Sequence, residues 1–485
     1  MPIVVEFLII CAVCVIIFEG IYGFIALFFR NRPNIFRFII RIFCMFITAF
    51  LLFAHFALPT IAYNYLGAKE VLARLSPTWL LSDQPDIVRL EKKDKWIMFA
   101  SQSDLFTKML FSNIIHFPNL AYNYFTERKS VVDINKSFFG ISIDPVKTDK
   151  KIILLKLKEL GAKSILMRIN YKKELFASDE YEKTREMAQL LKKNGYEVLI
   201  VCAQNRDIFT DNIDLRGYFE TLFTDFGAYA SEFQIGETIN RPKWGVIRLG
   251  DYENYFEAAK NARDKIAPNA KLIAPSVIDF EWLYTVYYAN AIKDFDILNS
   301  LLYVDRVGYP ENAQMGADTV DKIRLMSAVT HQKPFYITEF NWPLSGAGEY
   351  KPTSDQEAVN ELLHAAYSVR YAFLALGSNQ TNKIYYWQLF ANGYGLIDHL
   401  TLSEKPAFKA YQSVIRFFGN AKNIKLSKIN EKCYNLKSEN NTQATWCIED
   451  TGTKLITQKD TKYYDMFGAE VINPTLGISP IYAVK

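Results

Sequence analysis

The amino-acid sequence predicts a (β/α)8 TIM barrel, flanked by an N-terminal two-helix transmembrane hairpin and a small C-terminal antiparallel β domain. Three observations support this prediction. Two long apolar runs open the chain, short apolar runs then alternate with helix-like segments, and strand-like pieces separated by turns end it. The predicted regions are a hairpin over 1–63, a connecting region over 64–136, a barrel over 137–419 and a β domain over 420–485.

The hairpin is predicted from apolar runs at 3–29 and 42–63, each about as long as a membrane-spanning helix, which needs roughly 20 residues. A buried helical hairpin of a soluble protein is the alternative. Four arginines lie in or beside the short loop between the two runs, at positions 30, 32, 37 and 41. No arginine precedes the first run. The positive-inside rule therefore places this loop in the cytoplasm and the large domain outside a bacterial-type inner (plasma) membrane. The lipid bilayer would be contacted through residues 3–63.

Composition and charge argue against nucleic-acid, metal and cofactor partners. The chain has 485 residues, too many for one ordinary core, and a net charge of +4. No basic run of the kind that binds nucleic acid is present, so no nucleic-acid partner is expected. The five histidines are scattered, and none pairs with another at ligand spacing, so neither a metal nor another cofactor is predicted.

The barrel is predicted from eight short apolar runs, each followed by a helix-like segment, which matches this fold in number and length. The runs lie at 138–143, 164–169, 198–203, 233–236, 272–275, 304–307, 335–339 and 384–389. Gly161 is the predicted C-cap of the first helix, and 354–357 is a capping-box pattern. An open doubly wound sheet is the alternative, but it usually has a glycine-rich loop after its first strand, where this chain has 143–146, Ile-Asp-Pro-Val.

The β domain contains a predicted hairpin around the polar turn at 438–442. Cys433 and Cys447 each lie seven residues from Asn440, so a turn centred there sets them opposite each other. The other face of the hairpin then collects Tyr434, Leu436, Trp446 and Ile448. An extracytoplasmic location predicts a disulfide between the two cysteines, whereas the alternative is two free thiols in a β core.

Polar and aromatic residues stand where the predicted strands end, and in a barrel the chemistry lies at the carboxyl ends of the strands. These residues are Asp144, Arg168, Glu237, Tyr309, Glu339 and Trp387, with Trp342 close behind Glu339. Two of them are glutamates on strands four and seven, nearly opposite across the barrel. Hydrolysis of a glycosidic bond needs two such carboxyl groups. Trp387 offers an apolar face to a sugar ring, and Arg168 and Tyr309 are candidates to keep Glu339 ionised.

With these residues the sequence resembles the clan A glycoside hydrolases, within them the xylosidase-like and exopolysaccharide-hydrolase branch. The matching segments are 336–339 (Tyr-Ile-Thr-Glu), 234–240 (Gln-Ile-Gly-Glu-Thr-Ile-Asn) and 385–387 (Tyr-Tyr-Trp). The resemblance covers roughly 138–484. It implies a retaining barrel enzyme with a closing β domain, Glu339 as nucleophile and Glu237 as acid/base, and it adds Asn240 to the candidate substrate-binding residues.

One departure concerns strand four. The family usually has Asn directly before the acid/base Glu, whereas this chain has Gly236. A second alignment, which pairs Asn240 with the downstream Asn of the family, puts Glu237 at the place of the family Asn and Thr238 at that of the acid. The general acid would then be displaced or missing.

Each candidate also has a structural interpretation. Glu339 and Glu237 would be ordinary strand-end glutamates and Arg168 a salt-bridge partner. The aromatic candidates Trp387, Trp342, Trp244 and Tyr309 would pack in the core or at its rim. Asp144 would cap the first helix together with Pro145.

The predicted function is that of a membrane-anchored retaining glycoside hydrolase acting on a cell-surface or exported polysaccharide. The alternative is a catalytically reduced glycan-binding or assembly component of a polysaccharide export system, which would have the export machinery as partner. A purely structural membrane protein is a third interpretation, and it would not need Glu339 at a strand end.

Overall fold

The computed structural model describes residues 34–74, 91–126, 137–210, 213–241, 244–245, 250–292, 294–303, 308–314, 316–330, 332–347 and 358–485. These residues form two compact units, one from 34–74 and 91–114 and the other from residue 115 onward. The first predicted apolar run, the predicted sixth strand at 304–307 and the capping-box pattern at 354–357 lie outside the described residues.

The first unit is helical. Its helices are Asn34–Phe56, Leu58–Tyr65, Ala68–Arg74, Lys92–Ser101 and the first half of Ser103–Phe125. Among the described residues no single helix is long and apolar enough to cross a bilayer. One pair of consecutive helices, Met45–Phe56 and Leu58–Tyr65, reaches the required length and composition only when the two are taken together. This pair is bent by 48°. The run predicted as one continuous span therefore forms two helices. Pro59 lies in the first turn of the helix Leu58–Tyr65 and has no backbone N–H, so it cannot continue the hydrogen bonds of the preceding helix.

The second unit is built around a parallel sheet of eight strands. The strands are β1 (Phe139–Ile143), β2 (Ser164–Asn170), β3 (Glu197–Ala203), β4 (Glu232–Ile235), β5 (Lys271–Ile273), β6 (Leu298–Ser300), β7 (Phe335–Phe340) and β8 (Lys383–Tyr386). They pair in the order β5-β4-β3-β2-β1-β8-β7-β6. Single parallel bridges from Ile273 to Ile297 and from Ile278 to Leu301 join β5 to β6 and close the barrel. The predicted barrel is thus confirmed.

A helix follows each strand, as the alternation predicts. These helices are Lys150–Leu160, Asp179–Lys193, Leu215–Phe226, Asp251–Ile266, Trp282–Ala291, Thr319–Ala328, Glu361–Gly377 and Pro406–Phe418. Gly161 is the left-handed C-cap of the first, as predicted. Asn360 is the N-cap of the seventh and accepts a hydrogen bond from the backbone N–H of Leu363, so that helix begins after the predicted capping box.

The barrel contains a cluster of buried apolar and aromatic side chains. Ten buried side chains form it: Leu166, Leu199, Val201, Ala203, Ile273, Ile297, Tyr336, Tyr385, Trp387 and Tyr394. Strand six differs from its prediction, because β6 is the short sequence Leu-Asn-Ser with all three residues buried. Because two of its three residues are polar, this strand does not form an apolar run in the sequence. The prediction at 304–307 is therefore wrong for the start of this strand, which lies six residues earlier.

The C-terminal antiparallel sheet pairs in the order β12-β13-β11-β10-β9. Its strands are β9 (Lys425–Lys428), β10 (Cys433–Lys437), β11 (Gln443–Cys447), β12 (Lys462–Tyr464) and β13 (Ile481–Val484). Cys433 pairs with Cys447 in the register of the hairpin and forms a disulfide with it, which confirms the predicted bond. Next to them Tyr434 stacks on Trp446.

A buried ion pair joins this sheet to the barrel. Arg370, in the helix Glu361–Gly377, donates from Nε to Glu311 at 2.9 Å, and a second guanidinium N–H reaches the other carboxylate oxygen. The indole of Trp446 also donates to Glu311, at 2.6 Å. Both charged side chains are fully buried, so the β domain and the loop after β6 share one desolvated charge cluster.

Candidate active site

Two glutamates lie at the carboxyl end of the barrel, as predicted. Glu339 belongs to β7, and Glu237 follows β4 by two residues. Gly236, between β4 and Glu237, has φ +92°, and a Cβ there would lie 2.7 Å from the ring of Tyr252. Only glycine fits this left-handed, crowded position, which is the physical reason that Asn does not precede Glu237.

The carboxyl group of Glu237 is buried, with only 3% of the residue exposed. Gln234 donates to its Oε2 at 2.9 Å, and Nη1 of Arg168 lies 3.4 Å from its Oε1. Burial raises its pKa to about 8, Arg168 opposes the rise, and the negative charge of Glu339 adds to it. Glu237 is therefore protonated at neutral pH, which is the state that a general acid needs.

The backbone of Glu237 is held on both sides by one side chain. Gln204, just after β3 and 2% exposed, donates from its amide to the carbonyl oxygen of Glu237 at 2.7 Å. Its amide oxygen accepts the backbone N–H of Glu237 at 2.8 Å. The next residue, Thr238, has φ +47° and donates its N–H to Ser276. These contacts fix the direction in which the chain leaves β4.

Glu339 is half-buried, and the hydroxyl of Tyr303 donates to its Oε1. Sequence reasoning missed Tyr303, because the misplaced strand six pointed to Tyr309 as the tyrosine at that strand end. Tyr303 follows β6 by three residues, and no local pattern in the sequence marks this strand, so no sequence signal identifies Tyr303. Tyr309 lies further along the loop, where its carbonyl oxygen accepts from the N–H of Asn312.

Arg168 and Trp387 are brought together as a stacked pair. The guanidinium carbon of Arg168 lies 4.2 Å from the centre of the Trp387 ring and 5.6 Å from that of Trp244. Such cation–π contacts restrict the direction of the guanidinium. Arg168 is thus held beside Glu237 by aromatic rings as well as by the carboxyl group.

Two predicted substrate-binding residues, Trp342 and Asn240, make packing and loop contacts. Trp342 is buried at 2% exposure, donates its indole N–H to the carbonyl oxygen of Gly308, and packs against two tyrosines. The amide of Asn240 donates to the carbonyl oxygen of Ile278 and to Glu281, and it accepts the N–H of Ile278. These contacts engage both side chains in packing and loop hydrogen bonds, and their role in sugar binding stays a prediction.

Asp144 does not cap the first helix of the barrel. The cap is Asp149, whose side chain accepts the N–H of Lys151. Asp144 accepts the N–H of Val146 and faces the ammonium of Lys147 at 3.6 Å. It lines a cleft of about 320 Å³ over the ends of β1 and β2, together with Arg168 and Trp387.

The site consists of two carboxyl groups in different environments. One is buried and protonated, and the other is half-buried and accepts a tyrosine hydroxyl. In the part of the chain that the structure describes, no group of three or more His, Cys, Asp or Glu side chains could hold a metal ion.

Comparison with known proteins shows the fold. No family model matches the chain, and no curated protein matches it. Among solved structures, the chain is similar to a family 39 glycoside hydrolase from the gut symbiont Bacteroides cellulosilyticus WH2, with TM-score 0.56 and 14% identity over 73% of this chain and 82% of that one. It is also similar to a family 30 subfamily 8 xylanase from Clostridium acetobutylicum, with TM-score 0.51 and 12% identity over 73% and 97%.

A third similar structure is a family 51 α-L-arabinofuranosidase from Bifidobacterium longum, with TM-score 0.51 and 11% identity over 73% of this chain and 96% of that one. The structural neighbours are thus clan A glycoside hydrolases with a barrel. At these identities the similarity establishes the fold alone, a barrel with its C-terminal β domain.

Proposed function

We propose that this chain is a retaining glycoside hydrolase that acts on a cell-surface or exported polysaccharide. The observation that carries the proposal is the contrast between Glu237 and Glu339. Burial keeps Glu237 protonated up to about pH 8, whereas Glu339 is only half-buried and accepts a hydrogen bond from the hydroxyl group of Tyr303. A pair of carboxyl groups with opposite protonation is what double displacement at a sugar requires.

In the proposed reaction Glu339 attacks the anomeric carbon while Glu237 transfers its proton to the departing glycosidic oxygen. A covalent glycosyl ester on Glu339 results. Glu237, now ionised, takes a proton from water, which attacks the same carbon and releases the sugar with its original configuration. The burial that raises the pKa of Glu237 to about 8 supports Glu237 as the acid, whereas the hydroxyl group of Thr238 has no acidic proton near neutral pH.

The proposal includes a membrane anchor with the barrel outside the cytoplasm. The apolar runs at 3–29 and 42–63 support it, and so does the arginine-rich loop between them. The Cys433–Cys447 disulfide adds an independent argument, because disulfides persist in oxidising compartments.

The test is digestion of a panel of plant, bacterial and fungal polysaccharides by the full chain in detergent, with proton NMR of the first product formed. Retained anomeric configuration is the expected result, and Glu339→Gln should release no product. Inverted configuration would contradict the mechanism. Binding of a polysaccharide without any turnover would instead assign the chain to the glycan-binding and assembly components of an export system.

A further inference from the structure

The helix Ser103–Phe125 exposes an apolar side in its second half, residues 115–125, which belongs to the same unit as the barrel. Four large side chains of this half are 56–78% exposed: Ile115, Phe117, Tyr122 and Phe125. The sequence from 109 to 125 contains no Asp, Glu, Lys or Arg. Because the exposed side of a helix in a water-soluble domain is normally charged or polar, this side marks a surface for an apolar partner.

The opposite side of the same half is packed on the barrel. Leu120 is buried together with Val286 and Ala328, which belong to the helices that follow β5 and β6. Asn123 donates from its side-chain amide to the carbonyl oxygen of Ala328 at 2.9 Å. The exposed side is therefore held in a fixed direction relative to the barrel.

A groove of about 480 Å³ adjoins the exposed side, and it is named here the amino-end groove. Lys333, two residues before β7, lines it and donates to the carbonyl oxygen of Phe295, three residues before β6. Tyr122 lines the groove and is also one of the four exposed side chains, so the two features are continuous. Because Glu237 and Glu339 lie at the carboxyl ends of their strands, the groove is at the opposite end of the barrel.

The lining of the amino-end groove favours an anionic group over a cationic one. Among its described residues Lys333 is a cation, and none is acidic. Two carboxylates outside the lining, Asp296 and Asp294, act on this lysine electrostatically. Each of them has another cation at 3.3 Å, Arg263 for the first and Lys260 for the second.

A lipid bilayer fits this distribution of groups. An uncharged, aromatic side of a helix, bordered by a tyrosine and a lysine, is typical of helices that lie in the plane of a membrane interface. The helix pair Met45–Phe56 and Leu58–Tyr65, which together have the length and composition to cross a bilayer, precedes this helix in the same chain. A membrane that holds the pair is thus available to the exposed side.

We propose that residues 115–125 and the amino-end groove dock the barrel on the bilayer surface, with the four exposed side chains among the lipids and phosphate headgroups at Lys333. The barrel mouth with Glu237 and Glu339 then faces away from the membrane, open to polysaccharide that lies clear of the bilayer. The inference rests on the membrane anchor of the proposed function, and it adds the orientation of the barrel.

The experiment is photocrosslinking of the full chain in vesicles made of phosphatidylcholine and phosphatidylglycerol in equal parts. Phe117→p-benzoylphenylalanine and Tyr122→p-benzoylphenylalanine place a photoreactive group on the exposed side, and mass spectrometry identifies what each group has captured. Both positions should form lipid adducts. The matched control is Phe176→p-benzoylphenylalanine, the same change at an exposed position after β2, near the barrel mouth, and it should form none.

A second arm tests the role of the lysine. Lys333→Met should lower the yield of lipid adduct from position 122 roughly two- to fivefold, the value of one lysine at an anionic membrane surface. The matched control is Lys409→Met, the same change at an exposed position in the first turn of the helix Pro406–Phe418, and it should leave the yield unchanged. An unchanged yield in Lys333→Met would overturn the assignment of headgroups to the groove.

Absence of lipid adducts from both 117 and 122 would overturn the inference. So would capture of residues 3–29, because the chain's own apolar run would then cover this side, or capture of a second copy of the chain. Phe50→p-benzoylphenylalanine, at an exposed position in the helix Asn34–Phe56, tests the anchor separately. Lipid adducts at 50 but not at 117 or 122 contradict the docking alone, and their absence at 50 contradicts the anchor. Hydrolysis is tested independently by the release of product.

Discussion

Arg168 places its guanidinium 3.4 Å from the carboxyl group of Glu237, the proposed acid, whose pKa burial raises to about 8. The positive charge of Arg168 lowers the pKa of Glu237 and so opposes the effect of burial. Because the same guanidinium stacks on Trp387, the electrostatics of the acid and the wall of the cleft depend on one side chain.

The first prediction concerns pH. In the proposed mechanism Glu237 acts in its protonated form, so kcat/KM should fall as pH rises through about 8. Arg168→Met removes the cation that lowers this pKa, so the alkaline limb should move to higher pH even if the rate drops. A pH profile with an aryl glycoside whose leaving group needs protonation measures this. Arg216→Met on the surface should leave the limb in place, and a limb that moved to lower pH in Arg168→Met would contradict the assignment.

The second prediction separates the two glutamates by their substrates. Glu339→Gln should abolish turnover of all substrates, because no nucleophile remains. Glu237→Gln should lower the rate on natural glycan by roughly 10²–10⁴-fold and largely spare activated aryl glycosides, which need no proton. Steady-state rates on both kinds of substrate measure the difference. Glu361→Gln, the same change at an exposed helix start, should leave both rates unchanged.

Azide provides the check on Glu237. Added azide should partly restore the Glu237→Gln variant and yield a glycosyl azide of retained configuration, detected by NMR. If Glu237→Gln matched the wild type on natural glycan while Glu339→Gln was inactive, the acid would have to come from another residue.

The third prediction concerns the buried pair of Glu311 and Arg370. Removing one partner leaves an uncompensated buried charge, so Glu311→Leu and Arg370→Met should each lower the free energy of unfolding by roughly 3–5 kcal/mol. The double variant should recover much of this loss, because no buried charge remains. Chemical denaturation of the three variants measures the difference, and additive losses in the double variant would show that the two charges do not act as a pair.

The fourth prediction concerns the Cys433–Cys447 disulfide. Its cysteines are 14 residues apart in the chain, and for a loop of this size the chain-entropy estimate is about 3 kcal/mol. The double variant Cys433→Ser, Cys447→Ser should have a lower melting temperature than the wild type. Reductant should lower the melting temperature of the wild type by a similar amount. Peptide mapping without reductant should recover the two cysteines as one linked pair, and two free thiols in protein from its native compartment would refute the prediction.

The fifth prediction concerns topology, which the sequence motivates through its four arginines. Alkaline phosphatase should be active when fused after Tyr63 and inactive when fused at Arg32. A cytoplasmic reporter such as β-galactosidase should give the opposite pattern at the same two positions. Phosphatase activity at Arg32 and none after Tyr63 would place the barrel in the cytoplasm.

The sequence by itself determined the barrel, the β hairpin with its disulfide, and the strand ends on which Glu237 and Glu339 stand. These features are local, since apolar runs, turn residues and equal spacing from Asn440 are properties of short segments. The strand-six error shows the limit of such reasoning. A strand of Leu-Asn-Ser is buried because neighbouring strands surround it, and no local pattern contains that information.

Only the tertiary structure decided what each side chain at the barrel mouth contacts. In the folded chain Tyr303 donates a hydrogen bond to Glu339. Asn240 makes loop hydrogen bonds, and Trp342 packs in the core and donates to a loop carbonyl oxygen. Position 236 requires glycine because a Cβ there would lie 2.7 Å from the ring of Tyr252. Hydrogen bonds, burial and the resulting pKa shift depend on residues far apart in the chain, so they exist only once the strands have closed the barrel.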